Sequence, residues 1–289
     1  MGNANAGRTS NPCPFNRKGT KVRKLIKTIA AIAATAFISI SLAACAPATS
    51  NEITVVVHDS VVISDELLAS FKKQTGIEVT LVKAGDTGSM TNKLVLTKDE
   101  PLGDAVYGID NTFASLATKN GVIDGDLTAI DFGDVCMNYD KTWFSINEQA
   151  APSSIKDLIK PEFDGLTVIE NPTTSSVGLA FLTATISAFG DSGWQGYWSS
   201  LKKNNVKVVA SWEDAYYTHF SGSSGKGKYP IVLSYSSSPA YEVRDNGESQ
   251  TEALLDACYR QTEYAAVLTN AKNPDCLLYT SPSPRDAHE

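Results

Sequence analysis

The sequence predicts an α/β protein folded as two lobes, and three observations lead there. Strand-like and helix-like patterns alternate between residues 53 and 121. A stretch near 130–139 reads as extended, with no room for a helix inside it. A second alternating unit then fills residues 154–235. Alternation of this kind argues for a parallel sheet covered by helices, and the interruption marks where the chain leaves one unit for the other. With 289 residues, 42% hydrophobic and 20% charged, the chain can build one large domain or two modest lobes. That composition excludes a disordered or collagen-like polymer.

The elements follow in order. Ile53–Val57 is a continuous β-branched run, as a strand buried on both faces would be. Ser64 caps a helix running through Gln74, with Leu67, Leu68 and Phe71 on its apolar face and Gly76 just past its end. Ile77–Val82 alternates as a second strand, Met90–Lys98 is a helix, and Ala105–Ile109 is a third strand. A helix beginning at Asn111 or Thr112 ends at Asn120 and Gly121. Beyond the extended stretch come helices over Ser154–Ile159, Ser176–Phe189, Trp194–Lys203 and Trp212–Phe220. Strands are expected at Leu166–Ile169, Val206–Val209, Ile231–Tyr235 and Glu263–Leu268, and a flexible loop at 221–229.

The two ends read differently from the body. Arg17, Lys18, Lys21, Arg23, Lys24 and Lys27 precede an apolar run from Ile29 to Leu42 and then L-A-A-C at 42–45. The run is shorter than the ~20 residues of a spanning helix and closes on small residues, as an export signal does. Residues 1–44 are therefore expected to be a signal peptide, Cys45 the lipidated residue of a lipoprotein, and 45–51 a tether. At the other end, C-L-L-Y-T-S-P-S-P-R-D at 276–286 matches the translation of a sequencing adapter, so 276–289 is read as an artefact and lobe one as cut short. Between the ends, residues 45–275 carry seventeen basic side chains against thirty acidic ones, a net of −13. Nucleic acid is a poor partner for such a body, whereas a cationic ligand is admissible. Cys136 and Cys258 form an even pair in an exported chain, which predicts a disulfide against the alternative of two unrelated buried thiols.

Catalytic and cofactor motifs are weak. G-S-S-G-K-G-K at 222–228 has the spacing of a phosphate loop, but it ends in Tyr229 and lies between a helix and a strand, the reverse of what phosphate binding requires. No G-x-S-x-G occurs. His58, Asp59 and Ser60 are triad residue types, yet neighbours on a strand point to opposite faces. No Cys-x-x-Cys is present, and only His58 and His219 precede the tail, which argues against zinc chemistry. No catalytic activity and no cofactor are expected. Small polar and aromatic residues instead gather at element ends: Asp59 and Ser60, Asp110 and Asn111, N-P-T-T-S-S at 171–176, Trp212, and Y-S-S-S-P-A-Y at 235–241. Carboxyl ends of parallel strands are where such sheets bind ligands.

Several strings carry a family resemblance: G-I-D-N-T-F at 108–113, V-I-E-N-P-T-T-S-S-V-G-L at 168–179, S-W-E-D-A-Y at 211–216 and V-L-S-Y-S-S-S-P-A-Y at 232–241. Over roughly residues 52–275 the chain resembles the thiamine-binding lipoproteins of ABC importers, which have the type II periplasmic binding-protein fold. The resemblance implies a first part of lobe one at 52–133, lobe two at 134–240, and a return toward lobe one at 241–275. It implies a monomer, anchored by lipid at the outer face of the cell membrane, that passes thiamine or a thiamine phosphate to a permease. Asp110 would then meet the cation, Ser175 would hydrogen-bond it, and Trp212, Tyr235 and Tyr241 would form an aromatic cage, with Asp59 and Ser60 at the cleft edge. On the same resemblance, the adapter-like tail would stand in place of an aromatic segment by which the family reaches the ligand. A ferric-iron binder of the same fold is the alternative, on the adjacent Tyr216 and Tyr217, and a polyamine binder is another. Trp212, Tyr216 and Phe220 also share a helical face and could simply pack together.

Overall fold

The computed structural model describes residues 51–224 and 226–273. The expected signal peptide, Cys45 and the tail at 276–289 lie outside the described residues. The chain forms β1 (Glu52–Val57), α1 (Asp65–Thr75), β2 (Glu78–Lys83), α2 (Thr87–Leu96), β3 (Ala105–Asp110) and α3 (Ala114–Lys119). The long strand β4 (Ile123–Asp140) and α4 (Lys141–Ile146) follow, then β5 (Thr167–Glu170), α5 (Ser176–Phe189), α6 (Trp194–Lys203) and β6 (Lys207–Val209). A π-helix at Asp214–His219, a single turn α7 (Ser221–Ser224), β7 (Ile231–Tyr235) and a second long strand β8 (Thr251–Leu268) complete the order. The described strands make one sheet in the order β2-β1-β3-β8-β4-β7-β5-β6.

Two lobes share this sheet through β4 and β8. These strands pair antiparallel from Ile123 opposite Leu268 to Asp140 opposite Thr251. Their first-lobe ends lie beside β3, through the β3–β8 pairing, and their second-lobe ends beside β7, through the β4–β7 pairing. Hydrophobic burial divides accordingly. One cluster gathers Val56, Met90, Leu94, Val106, Ile109 and Leu268. A separate one gathers Met137, Phe144, Phe181, Tyr197, Ile231 and Leu233. A third covers the other face of the second lobe with Val168, Phe220, Tyr229 and Val232. Strand β5 accordingly sends Val168 to one core and Ile169 to the other, as a strand covered on both faces must. Cys136 and Cys258 are disulfide-bonded, with Cα atoms 4.5 Å apart. They join β4 to β8 where the pairing shifts register between Val135 and Met137.

The structure departs from the sequence reading at several elements. Strand β4 begins seven residues before Ile130 and β8 twelve before Glu263. No residue of β4 before Val135 is buried, so no inside–outside alternation marks that half. Helix α4 has no counterpart among the expected elements. Its start is set by Asp140, whose carboxylate accepts from the Thr142 and Trp143 amides at 2.9 and 3.1 Å. The helix expected over Ser154–Ile159 is reduced to a 3-10 turn at Asp157–Ile159. There Asp157 turns its carboxylate back to the Ser153 and Ser154 amides. The loop expected at 221–229 opens with the helical turn α7, and backbone bonds between Ser221 and Tyr229 and between Tyr229 and His219 close it. Helix α1 has the predicted cap at Ser64 and the left-handed C-cap at Gly76, but none of its residues is buried, and Leu67 is 61% exposed.

This contrast is measurable by urea unfolding. Leu94→Ala, at a site 1% exposed, is expected to cost about 2–5 kcal/mol. Leu67→Ser on α1 is expected to stay within about 0.5 kcal/mol.

Candidate functional site

A cavity of about 800 Å³ lies between the lobes. The first lobe contributes His58, Ser60 and Val62 after β1 and Asp86 and Thr87 at the start of α2. Asp131 and Glu263 come from the long strands, and Ser176, Trp212, Tyr216, Tyr217, Tyr235, Tyr241 and Glu242 from the second lobe. Four carboxyl groups and five aromatic rings thus face one space, with no Lys or Arg on its wall among the described residues.

The aromatic side is built around Trp212. Its ring stacks on Tyr216 with centroids 5.1 Å apart and meets Tyr217 and Tyr235 edge-on at 5.5 and 6.1 Å. The indole N–H donates to Ser234 Oγ at 2.9 Å, and Ser234 and Ser238 share a hydroxyl–hydroxyl bond of 2.8 Å. The S-Y-S-S-S-P-A-Y segment therefore fixes the tryptophan as well as supplying tyrosines. The π-helix turns more widely than an α-helix, which lets the neighbouring Tyr216 and Tyr217 both reach the cavity. Tyr216 donates to Glu242 at 2.9 Å, and it also packs on Phe220 at 5.6 Å, so Trp212, Tyr216 and Phe220 do share a packed face.

The acidic side holds residues that the sequence reading passed over. Asp86 caps α2, accepting from the Thr87 amide at 2.7 Å, and its other oxygen accepts from the Trp212 amide at 2.8 Å. One carboxylate therefore ties the first lobe to the second. The Ser89 amide adds a second tie, to the Thr174 carbonyl at 3.0 Å. Gly88 permits the approach, since a Cβ there would stand 2.7 Å from the Thr174 carbonyl carbon. Burial raises the Asp86 pKa above the usual carboxylate value, against the Trp212 and Thr87 amides, the Ser175 hydroxyl and His58, all of which favour its charge. Glu170, at the end of β5, is fully buried with no hydrogen-bond partner for either oxygen among the described residues. Burial first, then the charge of Asp86, pushes its pKa well up.

Of the seven ligand residues expected from the sequence, Ser60, Trp212, Tyr235 and Tyr241 line the cavity. Asp59, Asp110 and Ser175 are not on its wall. Asp59 accepts from the Gly85 amide at 2.9 Å and so shapes the turn that presents Asp86. Asp110 is wholly buried behind the wall. It accepts from Thr112, the Phe113 amide and Gln261, while burial pushes its carboxyl up to about 6 against those bonds. Gln261 continues the chain of bonds, donating to Ser176 Oγ at 2.8 Å and accepting from the Tyr235 hydroxyl at 2.9 Å. Ser175 is buried beside Asp86. Asp86, Gln261 and Glu263 could not have been picked out from the sequence, because their role arises only when segments more than a hundred residues apart meet. Among the described residues, no group of three or more His, Cys, Asp or Glu side chains is placed to hold a metal ion.

A family model described as bacterial extracellular solute-binding protein matches residues 104–259. The chain is 29% identical over 258 residues to a thiamine-binding periplasmic protein of Brucella melitensis, an alignment covering 82% of this chain and 75% of that one. A solved structure of a periplasmic thiamin binding protein superposes with a TM-score of 0.68 at 25% identity, over 80% of this chain and 78% of the other. Iron-bound HitA from Pseudomonas aeruginosa shares the fold, with a TM-score of 0.61 at 17% identity over 82% of each chain. On the match over 104–259, more than half its length, the chain belongs to the bacterial extracellular solute-binding proteins.

Proposed function

We propose that this protein captures thiamine, free or phosphorylated, outside the cytoplasm and delivers it to an ABC permease without chemical change. The observation that carries the reading is the cavity wall, where stacked aromatic rings share one space with carboxyl groups that no Lys or Arg of the wall offsets among the described residues. A permanently charged thiazolium is attracted to an aromatic face by about 0.5–2 kcal/mol per good contact. Asp86, Asp131, Glu242 and Glu263 would supply countercharge, and the serine hydroxyls could meet the aminopyrimidine edge. Trp212, Tyr235 and Tyr241 are assigned to the cage and Ser60 to the cleft edge. Asp110, Asp59 and Ser175 are assigned supporting roles, Asp110 through Gln261. The names of the relatives in Brucella and among solved structures support the same ligand. Lipid attachment at Cys45 and a monomeric state complete the reading. No specific observation favours the iron alternative: Tyr216 is engaged by Glu242 and is only 3% exposed.

Fluorescence titration tests the proposal. Thiamine is expected to quench tryptophan emission saturably. Trp212→Ala, which removes the tryptophan of the cavity wall and is therefore titrated by calorimetry, is expected to bind about tenfold or more weakly, the loss of one strong ring contact. Absence of any response to thiamine, with a visible charge-transfer band on adding ferric iron that Tyr217→Phe removes, would move the protein to the iron-binding class.

A further inference from the structure

His58 is the one basic side chain on the cavity wall among the described residues, and its setting is built. It follows β1, and its ring occupies the space left by Gly108: a Cβ there, at φ +98°, would come within 2.2 Å of His58 Cδ2. The ring nitrogen Nε2 lies 3.4 Å from Glu263 Oε2, and both side chains are largely buried, 15% and 13% exposed. The groups facing the pair come from several elements. Asp86 stands at the cap of α2 and Asp131 on β4, and Tyr107 of β3 donates its hydroxyl to Asp131 at 2.5 Å. Lys83 of β2 is turned to the Asp59 carbonyl instead. The imidazole is thus surrounded by carboxyl groups, with no competing cation on the wall among the described residues.

Resting on the thiamine-class reading above, we propose that His58 makes capture of a cationic ligand pH-dependent. When neutral, it leaves the charge of Glu263 available to the ligand. When protonated, it neutralises Glu263 and places a positive charge against the ligand's own. Burial opposes that protonation, but the hydrogen bond and charge of Glu263, with Asp86 and Asp131, outweigh it and hold the His58 pKa above its ordinary value. The sign follows directly: affinity for the cation is full above that pKa and falls as the solution is acidified through it. Linkage requires the reciprocal effect, so that a bound cation lowers the pKa of His58.

The test is calorimetric titration of the purified protein with thiamine at pH 7.5 and 6.0, comparing wild type, His58→Gln and Glu263→Gln. Any protonation of thiamine itself is common to the three proteins and cancels between them. Wild-type affinity is expected to fall about tenfold on acidification, and that of His58→Gln no more than about twofold. Glu263→Gln guards against misfolding of the first variant, because it should also flatten the response by removing the charge that His58 neutralises. Histidine NMR of the wild type should show the His58 pKa dropping when thiamine saturates the protein. An unchanged pH slope in His58→Gln, or a His58 pKa indifferent to thiamine, would overturn the inference while leaving thiamine binding intact. No binding of thiamine at pH 7.5 by wild type would overturn the underlying reading, and this inference with it.

Discussion

The antiparallel pairing of β4 with β8 is the constraint on which the rest of the molecule depends. Each strand is eighteen residues long, and their ladder belongs to both lobes at once. It joins two hydrophobic clusters that share no residue, so the lobes are tied by backbone hydrogen bonds rather than by a common core. It also sets the floor of the cavity, since Asp131 and Glu263 stand opposite each other on this ladder. The Cys136–Cys258 disulfide adds a covalent tie at one of the three places where the ladder shifts register. The chain passes between the lobes along these two strands, the kind of element at which hinge motion occurs.

Outside this ladder the lobes also meet at Asp86. Asp86 uses one oxygen to cap its own helix and the other to hold the Trp212 amide. The same aspartate therefore orders α2 and positions the aromatic wall. Burying it costs free energy, as the direction of its pKa shows. Its charge in turn adds to the penalty on Glu170, which burial already disfavours as a carboxylate. Isolated buried carboxyls are expensive unless a positive charge meets them. The four carboxyl groups of the cavity wall are each met by a hydrogen-bonding group, and His58 is the one basic side chain beside them among the described residues, an acidic lining that suits the cation proposed above.

Much of the fold was legible in the residues. Helices α5 and α6 and strand β7 fall where the residues placed them, the helices because they bury side chains at helical spacing and β7 because it is a short, continuously buried run. The long strands were only half visible. The first part of β4 has no fully buried residue, and the pairing of β8 with β4 shifts register at three places, so neither strand shows a continuous period of two. That Trp212, Tyr235 and Tyr241 line the cavity could be anticipated, because they sit at element ends and within recognisable strings. The acidic wall could not: Asp86 looks like an ordinary helix cap, and His58 and Glu263 are 205 positions apart. Asp110, prominent at the end of a strand, proves to be buried behind the wall it was expected to form.

If the cavity takes a cation, as proposed, it must discriminate on charge at constant shape. The most direct measurement therefore compares thiamine with an analogue of the same shape whose thiazolium is replaced by a neutral ring, both titrated calorimetrically at pH 7.5. The charged ligand is expected to bind at least about tenfold more tightly, from cation–π attraction and the carboxyl groups together. Equal affinity for the two would contradict a cation-selective cavity, and would reduce the acidic wall to a feature of solubility.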